Sequence, residues 1–284
     1  MSSADTPRSP RPLEPVPSTP DARTDAILRL VRVVERLREP NHGCPWDLEQ
    51  TVESLAPTLI EEAHEFVEAV ETGNAAAQVE EAGDVLLSLL LICQVADQSE
   101  RFDVARAARE AGDKLIRRHP HVFGERPVSG ADTSREVLDQ WAAIKAEERA
   151  AKKADDRSHL AGVPANLPAV QRAQRLGAKA VSVGFRWPDV HGALAKLREE
   201  VEELGELVEQ GSTDRAKLEH ELGDVLLAAA QIANYLDLDA EACARAGARR
   251  FEARFRHMEG QLDGVFEGRS LDAMMAAWKR AKNA

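Results

Sequence analysis

Apolar residues along this chain recur mainly with a helical period. From Thr24 onward, Ile27, Leu28, Val31, Val34 and Leu37 fall three or four positions apart, which makes one face of a helix running to about Arg38 apolar. The same spacing predicts helices at about 51–72, 76–97, 103–118 and 134–152, then at 166–180, 191–210, 214–236, 239–261 and 270–282. Asp103, Thr133 with Glu136, Asp214 and Ser270 stand where helices begin, and their side chains suit capping of the first free amides. No stretch alternates convincingly with period two, so the expected fold class is all-α.

The pattern is interrupted twice. Residues 1–22 hold Pro7, Pro10, Pro12, Pro15, Pro17 and Pro20 and little that is apolar, so a disordered Pro-rich tail is expected there. Residues 152–165 are polar and end in a Gly and a Pro, as a linker does. Two domains follow, 23–151 and 166–284, each large enough to bury its own core.

Composition supports helix over sheet. The chain is 43% hydrophobic but only 4% aromatic, and it is rich in Ala, Leu and Glu, which lose little freedom in a helix. A net charge of −12 with no concentrated basic patch argues against a nucleic-acid polymer and leaves small phosphates as the better partner. Cys44, Cys93 and Cys243 form no CxxC pair and suggest neither a disulfide framework nor a zinc site. The longest apolar stretch, Val85 to Cys93, is half of what a bilayer span needs, and the N-terminus lacks the apolar core of a signal peptide. A soluble, cytoplasmic protein with no membrane partner is expected.

A search for repeats turns this list of helices into a duplication. Gly43-x-x-Trp46 recurs as Gly184-x-x-Trp187, and Glu61-Glu62-x-x-Glu65 as Glu199-Glu200-x-x-Glu203. Glu81-x-x-Asp84-Val-Leu-Leu recurs as Glu221-x-x-Asp224-Val-Leu-Leu, Arg118 as Arg254, and Trp141-x-x-x-Lys145 as Trp278-x-x-x-Lys282. The order is kept and the offsets, 136 to 141, wander only as small loop insertions would make them.

Residues three and four apart share a helix face, so Glu62 and Glu65 point together, as do Glu81 and Asp84. An antiparallel pair of helices turning near Gly73-Asn74 would set these carboxylates face to face. Glu199, Glu200, Glu203, Glu221 and Asp224 repeat the arrangement around a turn near Gly211. Like charges held that close repel, so the arrangement is costly unless a cation neutralises it. A ligand set of carboxylate oxygens suits Mg²⁺ or Mn²⁺.

An isolated EExxE in a chain with 30% charged residues also reads as a solvated helix face. Against that, Asp84 and Asp224 each lead into an apolar run, Val85–Ile92 and Val225–Ala230, expected to be buried. The repeated Lys and Arg residues suit phosphate oxygens. The indoles of Trp141 and Trp278 suit nucleobase stacking and core packing equally, and the Trp46 and Trp187 motifs read equally as plain turns.

These motifs, with Gly43-Cys44-Pro45-Trp46-Asp47, Arg117-Arg118-His119-Pro120-His121-Val122-Phe123 and Val183-Gly184-Phe185-x-Trp187, resemble the tandem-domain MazG nucleoside triphosphate pyrophosphohydrolases of the all-α NTP pyrophosphatase superfamily. The likeness covers about residues 24–284. It implies two four-helix-bundle-type domains, a homodimer, and an NTP held through Mg²⁺ at the carboxylates. It also implies hydrolysis of the α–β phosphoanhydride to a nucleoside monophosphate and pyrophosphate, with broad base specificity, for nucleotide-pool housekeeping.

On this resemblance Glu200, Glu203, Glu221 and Asp224 bind metal in the second half, and Glu62, Glu65, Glu81 and Asp84 in the first. Together with Glu199, the second-half set is the catalytic one, the general base among them being unassigned. Lys196, Lys217, Arg250, Arg254, Trp278 and Lys282 contact substrate. The first half keeps Lys114, Arg118, Trp141 and Lys145 but has Thr58 and Ala77 where the second has Lys196 and Lys217. Activity is therefore expected mainly in the C-terminal half. A di-iron carboxylate bundle would need His where Asp84 and Asp224 stand. The remaining alternative is a helical regulator that binds a nucleotide or alarmone without turnover.

Overall fold

The computed structural model describes residues 21–123 and 158–282, with Thr133, Glu136, Val137, Gln140, Trp141, Ile144 and Glu148 between them. Every regular element among the described residues is a helix. The chain divides into two compact units, Met1–Ala151 and Lys152–Ala284. Most of the expected tail, the first part of the expected linker, and Lys145 lie outside the described residues.

In the first unit, α1 (Ala22–Leu37) starts inside the range expected for the tail because the Asp21 carboxylate accepts from the Arg23 amide. A short α2 (Pro45–Glu49) follows. Its approach explains Gly43: a Cβ there would overlap the backbone of Leu37, whose carbonyl accepts from Cys44 N at 2.8 Å. α3 (Val52–Thr72) opens with a reciprocal capping box between Thr51 and Ser54. It stops at Gly73, whose φ of 71° suits glycine, and Asn74 at once caps α4 (Ala75–Gln98).

The two-residue link leaves α3 and α4 as an antiparallel hairpin. Val34, Leu55, Leu90, Leu91, Ile92 and Val95 form the core beneath it. Buried Arg38 ties the end of α1 to this hairpin, donating to Gln98 Oε1 at 2.7 Å and to the carbonyls of Asp47 and Gln50. Burial lowers its pKa, against the upward pull of Asp47. α5 (Val104–Arg118), capped by Asp103, and the single turn α6 (Pro120–Phe123) follow. Beyond them, Thr133 and Glu136 cap one another as expected. Within the predicted 134–152 helix, Glu136, Val137, Gln140, Trp141, Ile144 and Glu148 are helical.

The second unit repeats the hairpin. α7 (Ala169–Ser182) begins later than the predicted 166 because Pro168 takes its N-cap position. α8 (Val190–Glu209), capped by Asp189, and α9 (Arg215–Leu236), capped by Asp214, turn through Gly211 at φ 63°. α7 lies along α9, with Gln231 Nε2 donating to Ala173 O at 2.7 Å and Asn234 Nδ2 to Gln174 O at 3.1 Å. Gly177 makes room for this, since a Cβ there would overlap the Gln231 amide. α10 (Ala240–Gln261) packs on α7 at Ala240 and on α11 (Leu271–Ala281) around Met258, Leu262 and Ala277.

One expectation fails in this unit. In the run after Asp84, Ser88 and Leu90 to Ile92 are buried, Val85 to Leu87 are half-buried and Leu89 is 46% exposed, whereas Leu226 and Leu227 after Asp224 are 56% and 42% exposed, as is Leu222 before it at 50%. The core where α7 meets α9 is built from Ala230 and Ala233 with Ala240 of α10, and the Leu222 and Leu226 stripe of α9 is left uncovered. The short helices α2 and α6 were also not predicted, being under two turns long.

Candidate metal and phosphate site

Each hairpin brings its carboxylates together. Between α3 and α4, oxygens of Glu62, Glu81 and Asp84 all lie within 4.8 Å of one another. Between α8 and α9, the same is true of Glu200, Glu203 and Glu221. Glu65 stands outside the first trio but beside it, raising the pKa of both Glu81 and Glu62 by its charge. Asp224 stands outside the second, one turn along α9 from Glu221, with Oδ2 3.5 Å from His220 Nε2.

The electrostatics of the two clusters differ. In the first, partial burial and the charges of neighbouring acids push Glu62 and Glu81 above the usual carboxylate range. Glu203 in the second is raised by desolvation, by a hydrogen bond that its protonated carboxyl donates to Glu200 and by the Glu200 and Glu221 charges, but Lys196 opposes the rise. Lys196 Nζ lies 2.7 Å from Glu199 Oε1 and 2.7 Å from Glu200 Oε1, and those hydrogen bonds raise its own pKa. Glu200 is 5% exposed, so its charge is compensated where solvent cannot reach it.

The other expected substrate contacts are less gathered. Lys217 Nζ is 3.9 Å from its capping Asp214 and largely exposed. Arg250 and Arg254 lie on α10, and Trp278 and Lys282 on α11 and its cap; none has a hydrogen bond or ion pair to the cluster among the described residues. Trp278 packs against Phe251 with ring centroids 5.3 Å apart, so one side of its indole serves the α10–α11 core.

In the first unit Lys114 lies on α5, and Trp141 meets His119 edge-on at 4.8 Å. Arg118 is engaged: its Nη2 lies 2.6 Å from Glu148 Oε2, and Arg117 Nε donates to the other oxygen at 2.8 Å. The two guanidinium groups hold the Glu148 carboxyl down to about 2.

A cavity of about 140 Å³ opens beside the second cluster. Lys196, Glu200 and Asp224 form one end, and Trp187, Ala193 and Gln231 the other. In the sequence the Trp187 motif reads equally as a plain turn and as part of a site, and no local pattern marks Ala193, Gln231 or His220. The signal available was the repeat itself, since these positions differ between the halves.

The sequence profile of the MazG nucleotide pyrophosphohydrolase domain matches this chain twice, over residues 50–123 and 190–258. The chain belongs to the MazG family. It is 38% identical over 259 residues to a nucleoside triphosphate pyrophosphohydrolase of Escherichia coli K12, covering 90% of this chain and 97% of that one. It is also 38% identical over 256 residues, 89% of this chain and 94% of the relative, to the nucleoside triphosphate pyrophosphohydrolase/pyrophosphatase MazG of Thermotoga maritima. A nucleoside triphosphate pyrophosphohydrolase of Mycobacterium tuberculosis shares 35% identity over 166 residues, 56% of this chain and 49% of its own length.

Both carboxylate clusters, with Lys114 and Arg118 in one half and Lys196, Lys217, Arg250 and Arg254 in the other, fall inside the two MazG matches. The protein is thus a tandem MazG chain, all-α, with each MazG domain built on one acidic hairpin. No helix among the described residues is long and apolar enough to cross a membrane.

Proposed function

We propose that this MazG protein is a Mg²⁺-dependent nucleoside triphosphate pyrophosphohydrolase whose turnover resides mainly in the C-terminal half. It cuts the α–β phosphoanhydride of NTPs and dNTPs, releasing a nucleoside monophosphate and pyrophosphate, and accepts many bases. Family membership and the printed activity of the E. coli and T. maritima relatives support the reaction. The placement in the second half is carried by one observation: Lys196 sits on the Glu199–Glu200 pair, whereas the first hairpin has Thr58 at that place.

The donor set fits the metal. Three carboxylates with oxygens within 4.8 Å of one another, of which Glu203 is raised in pKa by desolvation and by its acidic neighbours, suit a hard divalent cation that takes oxygen ligands. Glu200, Glu203, Glu221 and Asp224 hold it in the second half, and Glu62, Glu65, Glu81 and Asp84 in the first. Bound there, Mg²⁺ or Mn²⁺ supplies charge neutralisation for the phosphates and lowers the pKa of water. The protein's own groups do the rest. Lys196 and Lys217, with Arg250, Arg254 and Lys282, bind the negative phosphates, and a carboxylate of the Glu199, Glu200, Glu203, Glu221 and Asp224 set takes the proton of the attacking water.

The protein acts as a cytoplasmic housekeeping enzyme on the nucleotide pool and works as a homodimer. The uncovered apolar faces of α5 and α9 support the dimer: α5 buries none of its residues, with Leu115 and Ile116 each 51% exposed. Product analysis by ion chromatography, with Mg²⁺ and each common NTP and dNTP, tests the reaction. Monophosphate with pyrophosphate is expected; diphosphate with phosphate, or no product, would overturn it.

A further inference from the structure

The cavity beside the second cluster has a shape and lining that the metal chemistry leaves unused. Glu200 and Ala193 are seven residues apart on α8, as are Asp224 and Gln231 on α9, so the far end lies about 10 Å from the carboxylates. A nucleoside whose phosphates sit at Lys196, as proposed above, has this space to extend into. At that end stands Trp187, 49% exposed as a residue.

Trp187 is fixed in place. Its amide donates to Tyr235 Oη at 2.8 Å, and the Tyr235 hydroxyl donates back to Trp187 O at 3.3 Å. Gly192 gives the indole room, since a Cβ there would lie 3.0 Å from Trp187 Cβ. Ala193, Leu227 and Ala228 complete a small apolar wall.

We propose that this cavity holds the nucleobase of the substrate, stacked on Trp187, and that the N-terminal half lacks base binding because leucines fill the same place. The proposal rests on the functional reading above and names the specificity determinant of that site. The repeat offset of 138 pairs Ala193 with Leu55, and the offset of 140 pairs Gln231 with Leu91. Leu55 and Leu91 are 3% and 7% exposed and belong to the core of the first unit. Where the second hairpin has a short side chain and an amide drawn toward α7, the first has two packed isobutyl groups.

The lining also accounts for tolerance of different bases. The Gln231 amide is committed within the protein, Nε2 to Ala173 O at 2.7 Å and Oε1 to Asn234 Nδ2 at 3.1 Å. What remains at the base end is an indole face and aliphatic carbon, which favour any flat base without reading its edge.

The test uses the full chain with Mg²⁺, comparing wild type with Trp187→Ala, Trp187→Phe and Ala193→Leu. Inorganic tripolyphosphate serves as a competitor that has phosphates but no nucleoside. Trp187→Ala and Ala193→Leu are expected to raise KM for ATP, GTP, CTP and UTP by about tenfold each, with Trp187→Phe closer to wild type. The inhibition constant of tripolyphosphate is expected to stay within about twofold, which also shows that the phosphate end is intact. Unchanged NTP KM values in both variants, an equal loss of tripolyphosphate binding, or a loss confined to one base would overturn the proposal. A wild-type chain that releases no pyrophosphate would instead remove the functional reading on which it rests.

Discussion

Lys196 sets its ammonium 2.7 Å from both Glu199 and Glu200, so the C-terminal cluster begins with part of its negative charge compensated. Nothing equivalent is available from Thr58 in the other half. Glu200→Ala should therefore lower NTP hydrolysis by about 10²-fold or more, and Glu62→Ala by less than about threefold, in initial rates of pyrophosphate release. Equal losses would contradict the assignment of turnover to the second half.

Glu148 offers a separate residue-level test, because Arg118 and Arg117 hold its carboxyl at about 2. A pKa depressed in the fold contributes stability that is complete above the unfolded value of 4.5 and is lost as pH falls toward about 2. Glu148→Gln should thus have a lower urea midpoint than wild type near neutral pH, and the gap should narrow as pH falls from about 5 to about 3. A gap independent of pH would mean that the ion pair contributes nothing as a charge pair.

At the scale of elements, each acidic hairpin is a two-helix unit held together against its own charge. Glu62, Glu81 and Glu203 have pKa values raised above their unfolded values, so the fold favours their protonated forms. Stability from that source is present below the unfolded pKa and is lost as pH rises through the raised folded one. The divalent cation proposed at these carboxylates would remove the penalty. Metal-free protein should gain about 2–4 °C or more in Tm on adding Mg²⁺ near pH 7.5, and less near pH 5, in calorimetric scans. No gain at either pH would count against a metal at these carboxylates.

The longer helices and the two acidic pairs were legible in the sequence, because helix period, Asp103, Asp214 and Ser270 as caps, and the duplicated ExxD pair are local signals. The short turns α2 and α6 were not, since fewer than two turns show no period. Nor was the exposure of Leu226: apolar spacing says that a face seeks cover, not whether the same chain supplies it. The Arg118–Glu148 pair spans 30 residues, beyond any local pattern. The open cavity depends on Ala193 and Gln231, which look unremarkable until set against Leu55 and Leu91.

For the whole molecule, duplication has produced one hairpin whose interior is filled and one whose interior is open. In the first unit, Leu55, Leu90, Leu91, Ile92 and Val95 close around Val34 and leave the hairpin a packed scaffold. The second spends fewer large side chains on its core, relying on Ala230, Ala233 and Ala240 where α7 meets α9. That leaves Leu222 and Leu226 exposed, a cost of roughly 25 cal/mol for each Å² of apolar surface left uncovered. A second copy of the chain is the cover that the proposed homodimer provides. Leu222 and Leu226 are one turn apart and share a stripe of α9, so a charge there would have to be buried unpaired in the interface. Leu226→Glu should shift the species seen in sedimentation equilibrium from dimer to monomer while leaving helical circular dichroism unchanged. A dimer that persists with undiminished affinity would place the interface elsewhere, with the exposed face of α5 at Leu115 and Ile116 as the next surface to mutate.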